Sequence, residues 1–394
     1  MKKLPILTLF FITLVGCSAS NDKTTVLDNS CAASDITIDS SFENARVNGC
    51  TVTGDNQVNI TITPENSPIN NSPWYAFRAS AQQSKEITVF INYKGGSHRY
   101  SPKMSVDGKH WQGIKHSKSG KKLKFKLRVG KRPIYVAGQE IITNAAYDSW
   151  MKSLAKTPFV THSILGKSTQ GRDIGQLEVT QPDNKEWVIL MGRMHPPEIT
   201  GVLAMLPFVE NMLGNSDYAK AFRERFNVLV VPDLNPDGVA MGNWRHNANG
   251  VDLNRDWKQF KQIEARLVRD KLAAITEAGG KIVFAADFHS THKDVFYTMP
   301  TSYGLNPPFF VEEWLNELER IATPFVVRQQ PGNNPDKGVF KQFIADTYKV
   351  HAITYEMGDN TDRQTIKDIA NQSSSLLMEK LVGTAAADFY EAKQ

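Results

Sequence analysis

Four apolar runs from residue 186 onward in this 394-residue chain end in residues able to do chemistry. The run "EWVILMGRM" leads into His195 and Glu198, and "FNVLVVPDL" into "NPDG" and then Arg245, Asp252, Asn254 and Arg255. "KIVFAADF" leads into His289, and "HAITY" into Glu356. A single His-x-x-acid pair decides little, because nine histidines among 41 acids would give roughly one by chance. Four polar ends are a different matter. His195, Glu198 and His289 together offer two imidazoles and one carboxylate, a set that catalytic zinc sites use while leaving a fourth position for water. His292, three residues further on, is the competing ligand; His289 is preferred because it follows its apolar run directly.

The elements around these residues must bring the four ends together. Nearly continuous apolar runs fit strands buried on both faces, in a sheet covered by helices. Helical patterns are expected at "TGVLAMLPFVENML", "IEARLVRDKLAAITEA", "PFFVEEWLNELERIA" and "SSSLLMEKLVGTAAADFYEA". The expected fold over residues 145–394 is therefore α/β, a mixed and largely parallel sheet flanked by helices. In such sheets ligands collect beyond the carboxyl ends of the strands. Residues 31–140 have another texture: short alternating runs such as "QVNITIT", "EITVFINY" and "KLKFKLRV" between Gly, Asn, Ser and Pro clusters, expected to form a small antiparallel β-sandwich. "NPDG", Asn235 to Gly238, is good turn chemistry in its own right.

The motifs "GRMHPPEITG", "NPDGV", "WRHNANGVDLNRDW", "DFHS" and "ITYEMGD", in this order, resemble the signature of zinc metallocarboxypeptidases related to carboxypeptidase A, as does "GKSTQGRDI" upstream of them. The subgroup it is most similar to is the cytosolic-carboxypeptidase-like enzymes, whose catalytic domain follows a β-sandwich; "WYAFRAS" carries a weaker likeness there. The resemblance implies one zinc ion on His195, Glu198 and His289. It makes Glu356 the general base, Arg245 the oxyanion stabiliser, Asn254 and Arg255 the clamp on the substrate's terminal carboxylate, and Asp252 the acid that orients His195. In this family a residue about fifteen before the catalytic glutamate lines the terminal side-chain pocket. Here that is Lys341, which implies a preference for acidic C-terminal residues; a surface helix lysine is the alternative. Two departures stand out: Pro196 and Pro197 replace the intervening pair that carries an arginine in pancreatic-type members. The mobile tyrosine of those enzymes has three candidates, Tyr297, Tyr303 and Tyr348.

Lys2 and Lys3 precede an apolar run, Leu4 to Val15, too short to span a bilayer and ending in "LVGC". This resembles a bacterial lipoprotein signal, which implies removal of residues 1–16, acyl anchoring through Cys17 and a polar tether over 17–30. Ser18 in place of Asp implies sorting to the outer membrane, facing the periplasm; a plain secretory signal is the alternative. In an oxidising compartment Cys31 and Cys50, nineteen residues apart, are expected to pair as a disulfide, with two buried thiols the alternative. A net charge of +5 is too mild for a nucleic-acid binder. Three functions follow: a zinc carboxypeptidase acting on peptides; a zinc amidase cutting muropeptides at a D-configured γ-glutamyl linkage; and an inactive peptide-binding module. Retention of Glu356, Arg245 and the three ligands counts against the last.

Overall fold

The computed structural model of the chain describes residues 30–33, 35–66 and 71–390. The signal segment, the lipidation site at Cys17 and all but the last residue of the tether lie outside the described residues.

The N-terminal part is a sandwich of a six-stranded and a five-stranded sheet. Its alternating runs place apolar side chains inward: in Lys122–Val129 every second residue is buried, Leu123, Phe125, Leu127 and Val129 against Val58, Ile60, Val89 and Ile91. One pair departs from the antiparallel expectation. Gln57–Ile62 and Lys85–Tyr93 run parallel, Val58 opposite Val89 and Ile60 opposite Ile91. The strand between them in sequence, Ala76–Ala81, lies in the other sheet, so the chain crosses the sandwich and returns in the same direction. The Cys31–Cys50 disulfide is formed, joining the outermost strand of one sheet to the outermost of the other.

The C-terminal part is built on an eight-stranded mixed sheet. Its centre is four parallel strands, in spatial order Phe226–Val231, Glu186–Gly192, Lys281–Thr291 and His351–Gly358. Every residue of Glu186–Gly192 is buried, and the alternation sorts them between two cores. Val188 and Leu190 pack with helices Ile199–Met212, Phe310–Ile321 and Arg363–Gly383; Ile189 and Met191 pack on the opposite face with Ile263–Glu277 and Phe340–Tyr348. Burial on both faces explains why these strands read as unbroken apolar runs.

Two local expectations are corrected. The last helix does not occupy 373–392: it starts ten residues earlier at Arg363 and ends at Gly383, before a separate short helix Ala386–Tyr390. Asp362 sets that start, its carboxylate accepting from the Gln364 and Thr365 N–H groups at 3.0 Å each. "NPDG" is more than a turn. It opens helix Pro236–Met241, with the Asn235 side chain capping Gly238 N at 2.9 Å and Pro236 in the first turn.

Candidate metal centre and its cavity

His195 sits three residues beyond the 186–192 strand, in a turn that reverses into helix Ile199–Met212. Arg193 holds that turn. It adopts a left-handed φ of 56°, and its buried guanidinium donates to the Pro196 carbonyl, to the Tyr147 hydroxyl at 2.6 Å and to the Ile142 carbonyl at 3.1 Å. Glu198 is the residue immediately before the helix and does not cap it, so its carboxylate is free to face the histidines. The helix can approach because residue 201 is glycine: a Cβ there would come within 2.5 Å of the His289 carbonyl oxygen.

His289 lies inside its strand rather than after it, since Lys281–Thr291 continues two residues further. This corrects the reason given for choosing it, not the choice. The His289 ring is buried, whereas His292 is 76% exposed and comes no nearer than 3.9 Å to Asp359. The Glu198 carboxylate bridges the two imidazoles, Oε1 at 3.0 Å from His195 Nδ1 and Oε2 at 2.7 Å from His289 Nδ1. The outer nitrogens are each engaged by an acid: His195 Nε2 with Asp252 Oδ1 at 2.9 Å, and His289 Nε2 with Asp287 Oδ2 at 2.6 Å. Sequence reasoning named Asp252 and missed Asp287. The signal was present, for residues two apart on a strand share a face.

Burial would raise the Glu198 carboxyl, but His195 and His289 outweigh it and hold Glu198 far below the ordinary range. For His289 burial opposes the charge, and Asp287 with Glu198 overcomes that and raises its proton affinity well above the usual value. Ligand atoms of His195, Glu198 and His289 lie within 4.8 Å of one another, with an anion between two imidazoles turned towards it by acids behind them. That donor set fits one divalent cation of the zinc class.

Glu356 reaches this centre from the neighbouring strand, directly opposite His289 in the parallel register. Burial, with the Glu198 carboxylate close by, pushes its carboxyl up to about 7. Both line a cavity of about 600 Å³, together with Arg245, Asn254, Arg255 and Lys341. Arg245 Nε donates to Asp252 Oδ2 at 2.7 Å, so Asp252 ties this guanidinium to His195. The side chain of Asn254 accepts from Phe340 N at 3.1 Å and meets His289 Nε2 at 3.3 Å. Arg255 forms no ion pair with Asp252 or Asp256 among the described residues, and its Nη1 donates to the Asn254 carbonyl at 2.6 Å.

Lys341 is buried in helix Phe340–Tyr348 and points into the cavity wall rather than out to solvent. Its Nζ donates to the carbonyls of Thr298 at 2.9 Å and Gly332 at 2.6 Å, and burial lowers its pKa to about 8. Of the three tyrosines, Tyr297 lines the cavity; Tyr303 bonds to Asp346 and Tyr348 packs edge-on against Phe343.

Two residues absent from the sequence reading arrive from the sandwich. Arg99 lines the same cavity and grips Asp359 through Nε at 2.7 Å and Nη2 at 3.0 Å, with Nη2 also on the Ser290 carbonyl at 3.1 Å. Glu65 accepts from the backbone on either side of Arg245. Nothing in a single sequence links positions 180 to 260 residues apart.

The zinc carboxypeptidase family profile matches residues 147–374, more than half of the chain, and that of the cytosolic carboxypeptidase N-terminal domain matches residues 38–138. Cytosolic carboxypeptidase 2 of Xenopus tropicalis is 29% identical over 215 residues, covering 48% of this chain and 20% of its own length. Human cytosolic carboxypeptidase 2 is 36% identical over 173 residues, 40% of this chain and 18% of its own. The chain thus spans about a fifth of the length of these relatives. Among solved structures, a metallo-carboxypeptidase from Burkholderia cenocepacia superposes with a TM-score of 0.75 at 19% identity, covering 88% of this chain and 99% of that one. A metallo-carboxypeptidase from Pseudomonas aeruginosa, in complex with (2-guanidinoethylmercapto)succinic acid, gives 0.72 at 19% identity over 87% and 98%. These likenesses show a shared fold across both domains, and the matched profile spans His195, Glu198, His289 and Glu356: the chain belongs to the zinc carboxypeptidase family.

Proposed function

We propose that the protein is a zinc-dependent carboxypeptidase that releases C-terminal residues from peptides, acidic ones first. The observation that carries this is Glu356 held beside the His195–Glu198–His289 centre, in a cavity whose walls present Arg245, Arg255, Lys337 and Lys341.

His195, Glu198 and His289 would hold the zinc, which when bound supplies Lewis acidity, acidifying water and polarising the carbonyl to be cut. Glu356 takes a proton from the attacking water and passes it to the departing amine. Burial favours the protonated form of this carboxyl, the form in which it carries the proton from one transfer to the next. Arg245 is aimed by Asp252 and meets the negative charge that develops on the carbonyl oxygen. Asn254 and Arg255 hold the terminal carboxylate; the planar guanidinium matches its two oxygens. Lys341 supports the acidic preference, because among the described residues its buried ammonium contacts backbone carbonyls and the Met299 sulfur and no carboxylate. A substrate carboxylate would complete that pairing in a partly dry pocket.

We further propose that the enzyme works in the cell envelope, anchored through Cys17 and facing the periplasm. The Cys31–Cys50 disulfide supports an oxidising compartment.

A library of peptides varied at the C-terminus, with purified muropeptides as a separate arm, tests the activity. The expected outcome is stepwise release led by Asp and Glu, stopped by a chelator and restored by zinc. Release that survives complete zinc removal would exclude the reading; release from muropeptides alone would turn it towards the amidase.

A further inference from the structure

The wall that carries Arg245 has little regular structure. Between the end of helix Pro236–Met241 and the start of helix Ile263–Glu277 the chain holds only the single turn Leu253–Arg255, yet Arg245, Asp252, Asn254 and Arg255 all lie in it. Asp252 fixes the Arg245 side chain. The Arg245 main chain is fixed from another direction. The N–H groups of Trp244, Arg245 and His246 all point at one carboxylate, that of Glu65, with Oε2 accepting from Trp244 and Oε1 from Arg245 and His246 at 2.8 Å each. Consecutive backbone N–H groups curled around one anion make a nest, and here the anion is a side chain of the other domain. Glu65 follows the sandwich strand Gln57–Ile62, and its side chain is only 2% exposed.

Neighbouring contacts make the same junction. Asn66 Nδ2 donates to the Gly250 carbonyl at 3.1 Å, and Trp244 Nε1 donates to the Tyr100 hydroxyl at 3.0 Å. Gly242 is at φ +63°, where a Cβ would come within 2.2 Å of the Ala45 carbonyl oxygen, so the sandwich backbone abuts the loop at its origin.

We infer that Glu65 is a positioning residue of the catalytic centre: it fixes the backbone of Arg245 so that the guanidinium meets the developing oxyanion, and the sandwich domain is thereby part of the active site. The inference rests on the proposed peptidase reading for what Arg245 does, but not for where Glu65 holds it. Three charge-assisted bonds to three successive residues leave the loop one conformation where water would leave it many. A donor displaced by a fraction of an ångström loses much of its effect on a transition state while the terminal carboxylate, held elsewhere, still binds.

The test is a double-mutant cycle of Glu65→Ala and Arg245→Ala in the full zinc-loaded chain, read by turnover and by affinity for a peptide phosphonate. The phosphonate's tetrahedral oxygens report Arg245 without any reaction. Glu65→Ala is expected to lower kcat about 10- to 100-fold and weaken the phosphonate similarly, with KM, zinc content and affinity for the free amino-acid product within about 3-fold. In the Arg245→Ala background the same change should cost no more than about 3-fold. Equal losses in both backgrounds, unchanged phosphonate affinity or lost zinc would each overturn the inference. Should Glu65→Ala not fold, Glu65→Gln keeps the volume and turns an amide NH2 towards one of the three donors, and it should show the same non-additivity at smaller size; failure of both to fold would make Glu65 a folding residue and overturn it too. A protein without peptidase activity that still shows the phosphonate coupling would sink the proposed function and leave standing that Glu65 sets where Arg245 is held.

Discussion

The two walls of the cavity are built on different principles. The wall bearing His289, Glu356 and Asp287 is two adjacent parallel strands, where a backbone ladder fixes His289 opposite Glu356 and the pleat puts Asp287 behind the histidine. The wall bearing Arg245, Asp252, Asn254 and Arg255 is loop, and side chains do what the ladder does elsewhere: Asp252 spans His195 and Arg245, the Asn254 side chain takes Phe340 N, and Glu65 gathers three N–H groups from across the domain junction. The strand wall holds its residues with bonds that any sequence of that fold would make. The loop wall depends on particular side chains, so single substitutions should disturb it in more ways.

The strand wall is tested most sharply by Glu356→Gln, which keeps the shape and removes the base. Turnover should fall by about 10³ with zinc still bound, since proton transfer of this kind contributes 10²- to 10⁴-fold; activity within tenfold of the parent would move the base elsewhere. Arg245→Ala makes the corresponding change in the loop wall, with an expected kcat loss of about 10² and KM little changed, as for removal of one oxyanion donor. A rise in KM alone would make Arg245 a ground-state contact.

The comparison itself is tested by the two acids behind the imidazoles. Asp287→Asn and Asp252→Asn should each weaken zinc about 10- to 100-fold, measured by competition with a chelating dye. At saturating zinc only Asp252→Asn should also lower kcat, about tenfold, because Asp252 alone holds Arg245 as well. Matching kinetic losses in both would erase the distinction between the walls. Lys341→Gln is the smallest expected effect, a drop of about tenfold in the preference for acidic over neutral C-terminal residues, read as a ratio of kcat/KM values. An unmoved ratio would assign Lys341 only to holding Thr298 and Gly332.

Much of this was legible in the chain. The apolar runs announced buried strands, and polar residues at their ends announced the rim of a ligand site. Helices with strong apolar spacing fell close to their expected limits, as at Ile263–Glu277 and Phe310–Ile321. The start of the helix at Arg363 was hidden because its first ten residues are mostly polar and bury only a narrow stripe, Ile366, Ile369 and Ala370. Asp287 was hidden inside an apolar run, where one acid looked like an interruption.

The sequence by itself picked out His195, Glu198 and His289 as a candidate ligand set and, through the family resemblance, Glu356 beside it, because those depend on local periodicity and on what each apolar run ends in. Only the tertiary structure decided that Lys341 turns into the wall, that Tyr297 alone of its candidates faces the cavity, that Arg99 reaches the cavity from the sandwich, and that Glu65 reaches the loop carrying Arg245. The physical reason is range. A strand's pattern repeats within a few residues, whereas a carboxylate at 65 and an amide at 245 meet only when two domains with distinct cores pack against each other.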